Sequence, residues 1–305
     1  ARRGCLGRRP PNHRKRTQVV RTGAAVNAPL LGARRIRELF EAHGIRPQKE
    51  LGQNFVIDPN TIRKVVDVAR ISERDSVLEI GAGAGSLTLG LAASADRVTA
   101  VEFDSRVVPA LRESLTGVEN VDVVQADAMK LDFASIDATC VVANLPFNIA
   151  VPLVIAVLEK ARQILSLTVM TQREVGERLA AVPGSKAYGQ VSVLVGYWAV
   201  ASVAARISRN AFFPVPTVDS VVVRIDRRPP PNADYELLKR AVKTSFEQRR
   251  KTLRNTLARV AGSAAAAERL LAVANIDPAA RPEEIDLDGW VSIARTLAAD
   301  SETTP

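Results

Sequence analysis

Histidine, cysteine and long apolar runs are what this 305-residue chain has least of. Its two histidines, His13 and His43, precede every motif that carries chemistry, so the reaction is expected to run without a histidine base. Its two cysteines, Cys5 in a basic stretch and Cys140 inside an apolar run, supply neither a disulfide framework nor a metal-ligand spacing. That usage suits a reducing compartment. No apolar stretch approaches the ~20 residues needed to span a bilayer, because charges such as Arg97, Glu102 and Asp104 cut the richest segments. A membrane-spanning role is therefore not expected. Acidic residues are absent before Glu38, and residues 1–30 show no sustained periodicity. They read as a disordered basic arm: an RNA-binding arm, an acid-poor transit peptide, or simply a poorly ordered terminus.

What is present is charge of one sign and ample core. The formal net charge is +9, which points to a polyanionic partner without separating nucleic acid from an acidic membrane surface. Hydrophobic residues make up 47% of the chain, enough for one large domain and a smaller one. From Ser76 onward, short β-rich runs alternate with helical patterns: "SVLEI", "VTAVE", "VDVVQ" and "TCVVAN" are strands, with helices between most of them. That rhythm predicts a mostly parallel sheet with crossover helices, and "LSLTVMTQ", "VSVLVGYWAV" and "SVVVRID" are expected to extend it. "RRPPPNAD" is the clearest break, and the chain beyond it reads as helices only. The expected organisation is an arm over 1–30, an α/β domain over 31–228 and a small all-helical C-terminal domain over 229–305.

The ends of the strands carry the chemistry. "SVLEI" runs into Gly81, Gly83 and Gly85, a turn that lets a ligand approach backbone N–H groups. A dinucleotide fingerprint would want glycine where Ser86 stands. "VTAVE" closes on Glu102, about twenty residues beyond the glycines, where a carboxylate can accept both hydroxyls of a ribose. "VDVVQAD" closes on Asp127, which can accept from an adenine amino group. Either acid alone reads equally well as a solvated strand end. Glycines, Glu102, Asp127 and Asn144 at successive strand ends converge on one crevice, which suits an adenosine-bearing cofactor without a pyrophosphate, such as S-adenosylmethionine.

The fourth strand ends in Asn144, Leu145, Pro146 and Phe147. An adenine amine is a poor nucleophile because its lone pair is delocalised into the ring. The Asn144 side-chain oxygen and the Leu145 carbonyl can take its two hydrogens, Pro146 fixes the turn that aims them, and Phe147 stacks on the base. As an isolated tetrapeptide this would be an ordinary turn. Farther on, Arg249, Arg250, Lys251 and Arg254 lie in a helical pattern, and the spacing predicts that Arg250, Lys251 and Arg254 share one helix face, either solvated or facing phosphate.

These motifs, with "LGQNFVIDPN", "TQREVGERLAAVPGSKAYGQVSVLV", "AFFPVPTVDSVVVRI" and "FEQRRKTLRNTL", resemble the KsgA-type small-subunit rRNA adenine dimethyltransferases from about Arg46 to Leu297. The resemblance implies a Rossmann-like class I methyltransferase fold. It implies dimethylation of N6 on two adjacent adenines in the 3′-terminal hairpin loop of small-subunit rRNA, from S-adenosylmethionine, in ribosome assembly. It further implies a cytoplasmic monomer acting on a 30S assembly intermediate, without metal or membrane. By position, Asn54, Val56, Gly81, Gly83, Glu102, Asp127 and Asn144 would contact the cofactor. Phe147 and Phe212 would flank the target base, and the basic run would contact rRNA. Two positions depart from the family pattern: Phe147 stands where tyrosine is usual, and Ala82 where proline is. Two alternatives share the core motifs: a large-subunit rRNA methyltransferase of the erythromycin-resistance type, disfavoured by "FEQRRKTLRN" and "SKAYGQVSVL", and a non-catalytic RNA-binding assembly factor.

Overall fold

The structure is a computed structural model that describes residues 29–48, 51–146 and 148–303. Residues 1–28 of the arm expected over 1–30, and Phe147, lie outside the described residues. The described chain begins with helix α1 (Ala33–Ala42), a short strand β1 (Phe55–Val56) and helix α2 (Pro59–Ala69). Asp58 caps α2 by accepting from the N–H groups of Asn60 and Thr61, and Pro59 at the first helical position has no N–H to satisfy.

Strands and helices then alternate: β2 (Ser76–Ile80), α3 (Ser86–Ala92), β3 (Arg97–Glu102), α4 (Val108–Ser114), β4 (Val121–Gln125), β5 (Cys140–Asn144), α5 (Ala150–Lys160) and β6 (Ser166–Gln172). After α6 (Arg173–Leu179) and α7 (Gln190–Trp198) come β7 (Ala199–Ile207), β8 (Phe212–Phe213) and β9 (Ser220–Arg227). One seven-stranded sheet has the order β4-β3-β2-β5-β6-β9-β7, with β9 antiparallel to both its neighbours and the other pairs parallel. The expected mostly parallel α/β sheet is therefore borne out. Its central strands are covered on both faces, which is why they read as near-continuous apolar runs. Along β2, Leu78 and Ile80 join a cluster with α5 and α7, while Val77 joins a second cluster with α1, α2, α3 and α4.

"VSVLVGYW" is a correction. It forms helix α7, and the strand begins only at Ala199. The segment is buried on nearly every side between the sheet and the C-terminal helices, so it carries no polar stripe that would mark a helical period.

Beyond the proline-rich stretch lie α8 (Tyr235–Phe246), α9 (Leu253–Ala261), α10 (Ala264–Val273) and α11 (Leu287–Thr303). Leu238, Leu257 and the fully buried Trp290 belong to the same apolar cluster as Leu78 and Val141 of the sheet. Polar contacts reinforce that junction: Tyr188 Oη donates to the Ile285 carbonyl at 2.8 Å, and Tyr235 Oη to Glu159 at 2.7 Å. Among the described residues no helix is long and apolar enough to cross a membrane.

Candidate active site

Strand β2 has β3 on one side and β5 on the other, so the chain order reverses across it and a crevice opens at the carboxyl ends of these strands. A cavity of about 320 Å³ lies there, within the ~300–1,000 Å³ typical of ligand sites. Asn54, Gly81, Gly83, Glu102, Asp127, Asn144, Leu145, Pro146 and Phe212 all line it. Val56 does not; Phe55 takes that place. Val56 instead pairs with Phe212 in the small β1–β8 ribbon, which carries the 51–54 segment and Phe212 over the strand ends.

The glycine turn differs from an anion cradle. The N–H groups of Gly81 and Ala82 both donate to the Val101 carbonyl, at 2.8 and 3.1 Å, and that of Gly83 donates to Glu102 Oε2 at 2.8 Å. These donors are used within the protein. Glycine is needed for proximity: with φ +79° at Gly81, a Cβ would sit 3.2 Å from the Asn144 main-chain oxygen, and one at Gly83 would sit 2.9 Å from the Phe55 ring. The turn thus brings β5 and β1 close to the cavity floor and leaves little for a pyrophosphate.

Glu102, only 8% exposed, accepts from Gly83 N at one oxygen and from Asp104 N at the other, both at 2.8 Å. Burial pushes its pKa up, the two N–H groups pull it down, and the Asp104 charge pushes it up again. A carboxylate offers about four acceptor sites, so roughly two remain for a ligand diol. Asp127 caps a single 3₁₀ turn, its Oδ1 accepting from Met129 N at 3.0 Å.

Asn144 closes β5, and its Nδ2 donates to the Asn54 carbonyl at 2.9 Å. Leu145 N–H donates to the Met170 carbonyl, and the Pro146 carbonyl accepts from Ile149 N. The Asn144–Pro146 turn is therefore anchored at both ends. Phe212 is 2% exposed and packed into the cavity wall.

The residues that sequence reasoning passed over are Gln53, Phe55, Phe103, Asp104 and Met129, all of which line the cavity. Phe103 and Met129 are among the most exposed large apolar side chains, and each follows a strand-end acid closely, a signal that could have found them. Among the described residues no histidine lines the cavity, and no cluster of His, Cys, Asp or Glu is arranged to hold a metal.

The basic run does not share one helix. Helix α8 stops at Phe246, residues 247–250 form a turn, and α9 begins at Leu253. The break has a long-range cause: the N–H groups of Leu253 and Arg254 donate to the carbonyls of Ala280 and Pro278, and Leu253 is fully buried. Arg249, Arg250, Lys251 and Arg254 are exposed; Arg249 faces Glu283 at 3.9 Å and Arg254 faces Glu268 at 2.9 Å.

Comparison with known proteins supplies what the geometry leaves open. The family described as ribosomal RNA adenine dimethylase matches residues 44–299. A protein of Paenarthrobacter aurescens (strain TC1) named ribosomal RNA small subunit methyltransferase A is 46% identical over 277 residues, 88% of this chain and 94% of its own length. The protein of that name from Streptomyces avermitilis is 44% identical over 280 residues, covering 89% and 95%. Among solved structures, a dimethyladenosine transferase from Plasmodium falciparum superposes with a TM-score of 0.69 at 22% identity, covering 78% of this chain and 95% of that one, which shows the fold alone. The 23S rRNA methyltransferase ErmE superposes at 0.65 with 28% identity, covering 80% and 100%.

Proposed function

This chain belongs to the ribosomal RNA adenine dimethylase family, and from that premise we infer that it is an enzyme that dimethylates N6 of adenines in small-subunit rRNA. The observation that carries the reading is the meeting of Glu102 and Asn144, from the two strands flanking β2, in one cavity. The committed N–H groups of the glycine turn and the spare acceptor capacity of Glu102 fit an adenosine-bearing donor without pyrophosphate, which we take to be S-adenosylmethionine. That cofactor supplies an electrophilic methyl group on sulfur. Glu102 would hold the ribose hydroxyls, Asp127 the adenine amine, and Asn54 and Gly81 would border the methionine end.

The remaining work falls to the Asn144–Pro146 turn and to Phe147. Because Asn144 Nδ2 is engaged by the Asn54 carbonyl, Oδ1 is the atom left to accept a hydrogen bond from the target amine. The Leu145 carbonyl would accept the second. With both hydrogens drawn toward acceptors, the nitrogen lone pair would be released from the ring and free to take the methyl group that the cofactor supplies. The proton then leaves the charged amine for solvent, so no strong base is required. After the first transfer one hydrogen remains, and one acceptor suffices for the second. Phe212, with Phe147, would stack on the extruded base, each ring offsetting unstacking by about 1–3 kcal/mol.

We assign residues 31–228 to this chemistry and 229–305, with Arg249, Arg250, Lys251 and Arg254, to contact with rRNA phosphates. The work would be that of a cytoplasmic monomer on a small-subunit assembly intermediate. Transfer of labelled methyl groups to undermethylated small subunits, and not to large subunits, tests the assignment. Label on large subunits alone would favour the erythromycin-resistance-type reading.

A further inference from the structure

Two carboxylates, Glu102 and Asp104, sit side by side at the end of β3, and both are more than nine-tenths buried. Their hydrogen bonding separates their roles. Asp104 Oδ1 accepts from Arg106 N at 3.0 Å and Arg106 Nε at 2.9 Å, while Oδ2 accepts from Gln53 Nε2 at 2.8 Å and from Arg106 Nη2. About four acceptor sites on a carboxylate meet four donors here, so Asp104 has no capacity left for a ligand, although it borders the cavity. Its charge also raises the cost of ionising Glu102. Such a group is there for what it holds.

What it holds is the 51–54 segment. Gln53 grips Asp104 with its amide nitrogen and accepts the Gln48 N–H at Oε1, 2.8 Å away. The next residue, Asn54, presents the carbonyl that takes Asn144 Nδ2. A continuous path therefore runs from Asp104 through Gln53 and one peptide unit to the Asn144 amide.

We propose that Asp104 and Gln53 are positioning residues for methyl transfer: their hydrogen bond sets the Asn54 carbonyl where it fixes the Asn144 amide with Oδ1 toward the target amine. The proposal rests on the role given to Asn144 under the proposed function. Asp104→Asn keeps the side chain's size but opposes an amide donor to the Gln53 donor. Combined with Gln53→Glu, the polarity is reversed and both Gln53 contacts return: the new amide donates to the new carboxylate, which still accepts the Gln48 N–H, while the half-exposed Arg106 gives up its Nη2 bond to Oδ2 and turns that group to solvent.

Three variants test this, each checked for folding by its melting transition: Asp104→Asn, Gln53→Glu and the pair together. Each single variant should lose on the order of 10- to 100-fold in kcat, the scale of a small misplacement of a reacting group. KM for small subunits and cofactor Kd by calorimetry should stay within about threefold. The pair should recover most of kcat. The Asn144 side-chain amide resonance, recorded without cofactor or rRNA, should lose its protection in the single variants and regain it in the pair. Unchanged kcat in both single variants, or a loss that the pair does not restore, would overturn the proposal. If the wild-type protein transferred no methyl group to small subunits, the function would fail, while the amide resonance would still decide whether the latch exists.

Discussion

The side-chain amide of Asn144 donates to the main-chain carbonyl of Asn54 at 2.9 Å, joining positions 90 residues apart. The contact occupies Nδ2 and leaves Oδ1 to accept, the role that the proposed function gives Asn144. Asn144→Ala is expected to lower kcat by on the order of 10²–10³-fold, as loss of one aimed hydrogen-bonding group does. Cofactor Kd, measured by calorimetry, should barely move. Parallel loss of cofactor binding would make Asn144 a wall of the cofactor site instead.

Glu102 is expected to act on the cofactor and not on the amine. Glu102→Gln would turn one carboxylate oxygen into a donor against the N–H of Gly83 or Asp104, and cofactor affinity should fall at least about tenfold, or ~1.4 kcal/mol. The pH profile adds a sign. Burial raises the Glu102 pKa, so cofactor affinity in the wild type should begin to fall, as pH drops, sooner than for an ordinary carboxylate. The glutamine variant should lack that dependence.

A second buried acid affects stability. Glu79 is fully buried on β2, both its oxygens lack a hydrogen-bond partner at normal distance, and burial pushes its pKa up to about 8. A native pKa above the unfolded value of 4.5 means that the folded chain holds the proton more tightly. Its contribution is complete below the unfolded pKa and is lost as pH rises toward 8, at about 1.4 kcal/mol per pH unit. Glu79→Gln should therefore flatten the decline in stability across that window, as read by urea unfolding at several pH values. Parallel pH profiles for the two proteins would show that Glu79 is ionised in the native state.

Phosphate binding by the 249–254 segment is expected to be electrostatic. Arg250 and Lys251 lie exposed in the turn between α8 and α9. Replacing both with Gln should reduce the slope of log K against log salt for small-subunit binding by about 0.9 for each duplex phosphate left unneutralised, taking the duplex DNA value as a guide. Cofactor affinity should be unaffected. An unchanged slope would make the segment a solvated turn.

The strand ends were legible because each candidate site residue stands at or just beyond the end of a strand: Glu102 ends β3, Asn144 ends β5, and Asp127 follows β4 by two residues. What stayed hidden depends on partners distant in sequence. Gln53 and Asp104 are 51 residues apart, and nothing local announces their bond. The helix α7 hides its period because its neighbours bury it on nearly all sides. The break in the basic run is set by carbonyls at Pro278 and Ala280, which no local propensity at 249–254 can reveal. Glu79 occupies an alternate position in "SVLEI" that would face water if α3 did not cover that face of the sheet.

The central claim is that the Asn144 turn methylates N6 of small-subunit adenines twice. It is tested most directly by incubating the protein with undermethylated small subunits and labelled S-adenosylmethionine, then mapping the modified nucleosides by mass spectrometry of rRNA fragments. The account predicts N6,N6-dimethyladenosine at two adjacent adenines of the 3′-terminal hairpin loop, appearing on the order of 10²–10³-fold more slowly with Asn144→Ala. Methylation confined to large-subunit RNA, or at a base other than adenine, would contradict it.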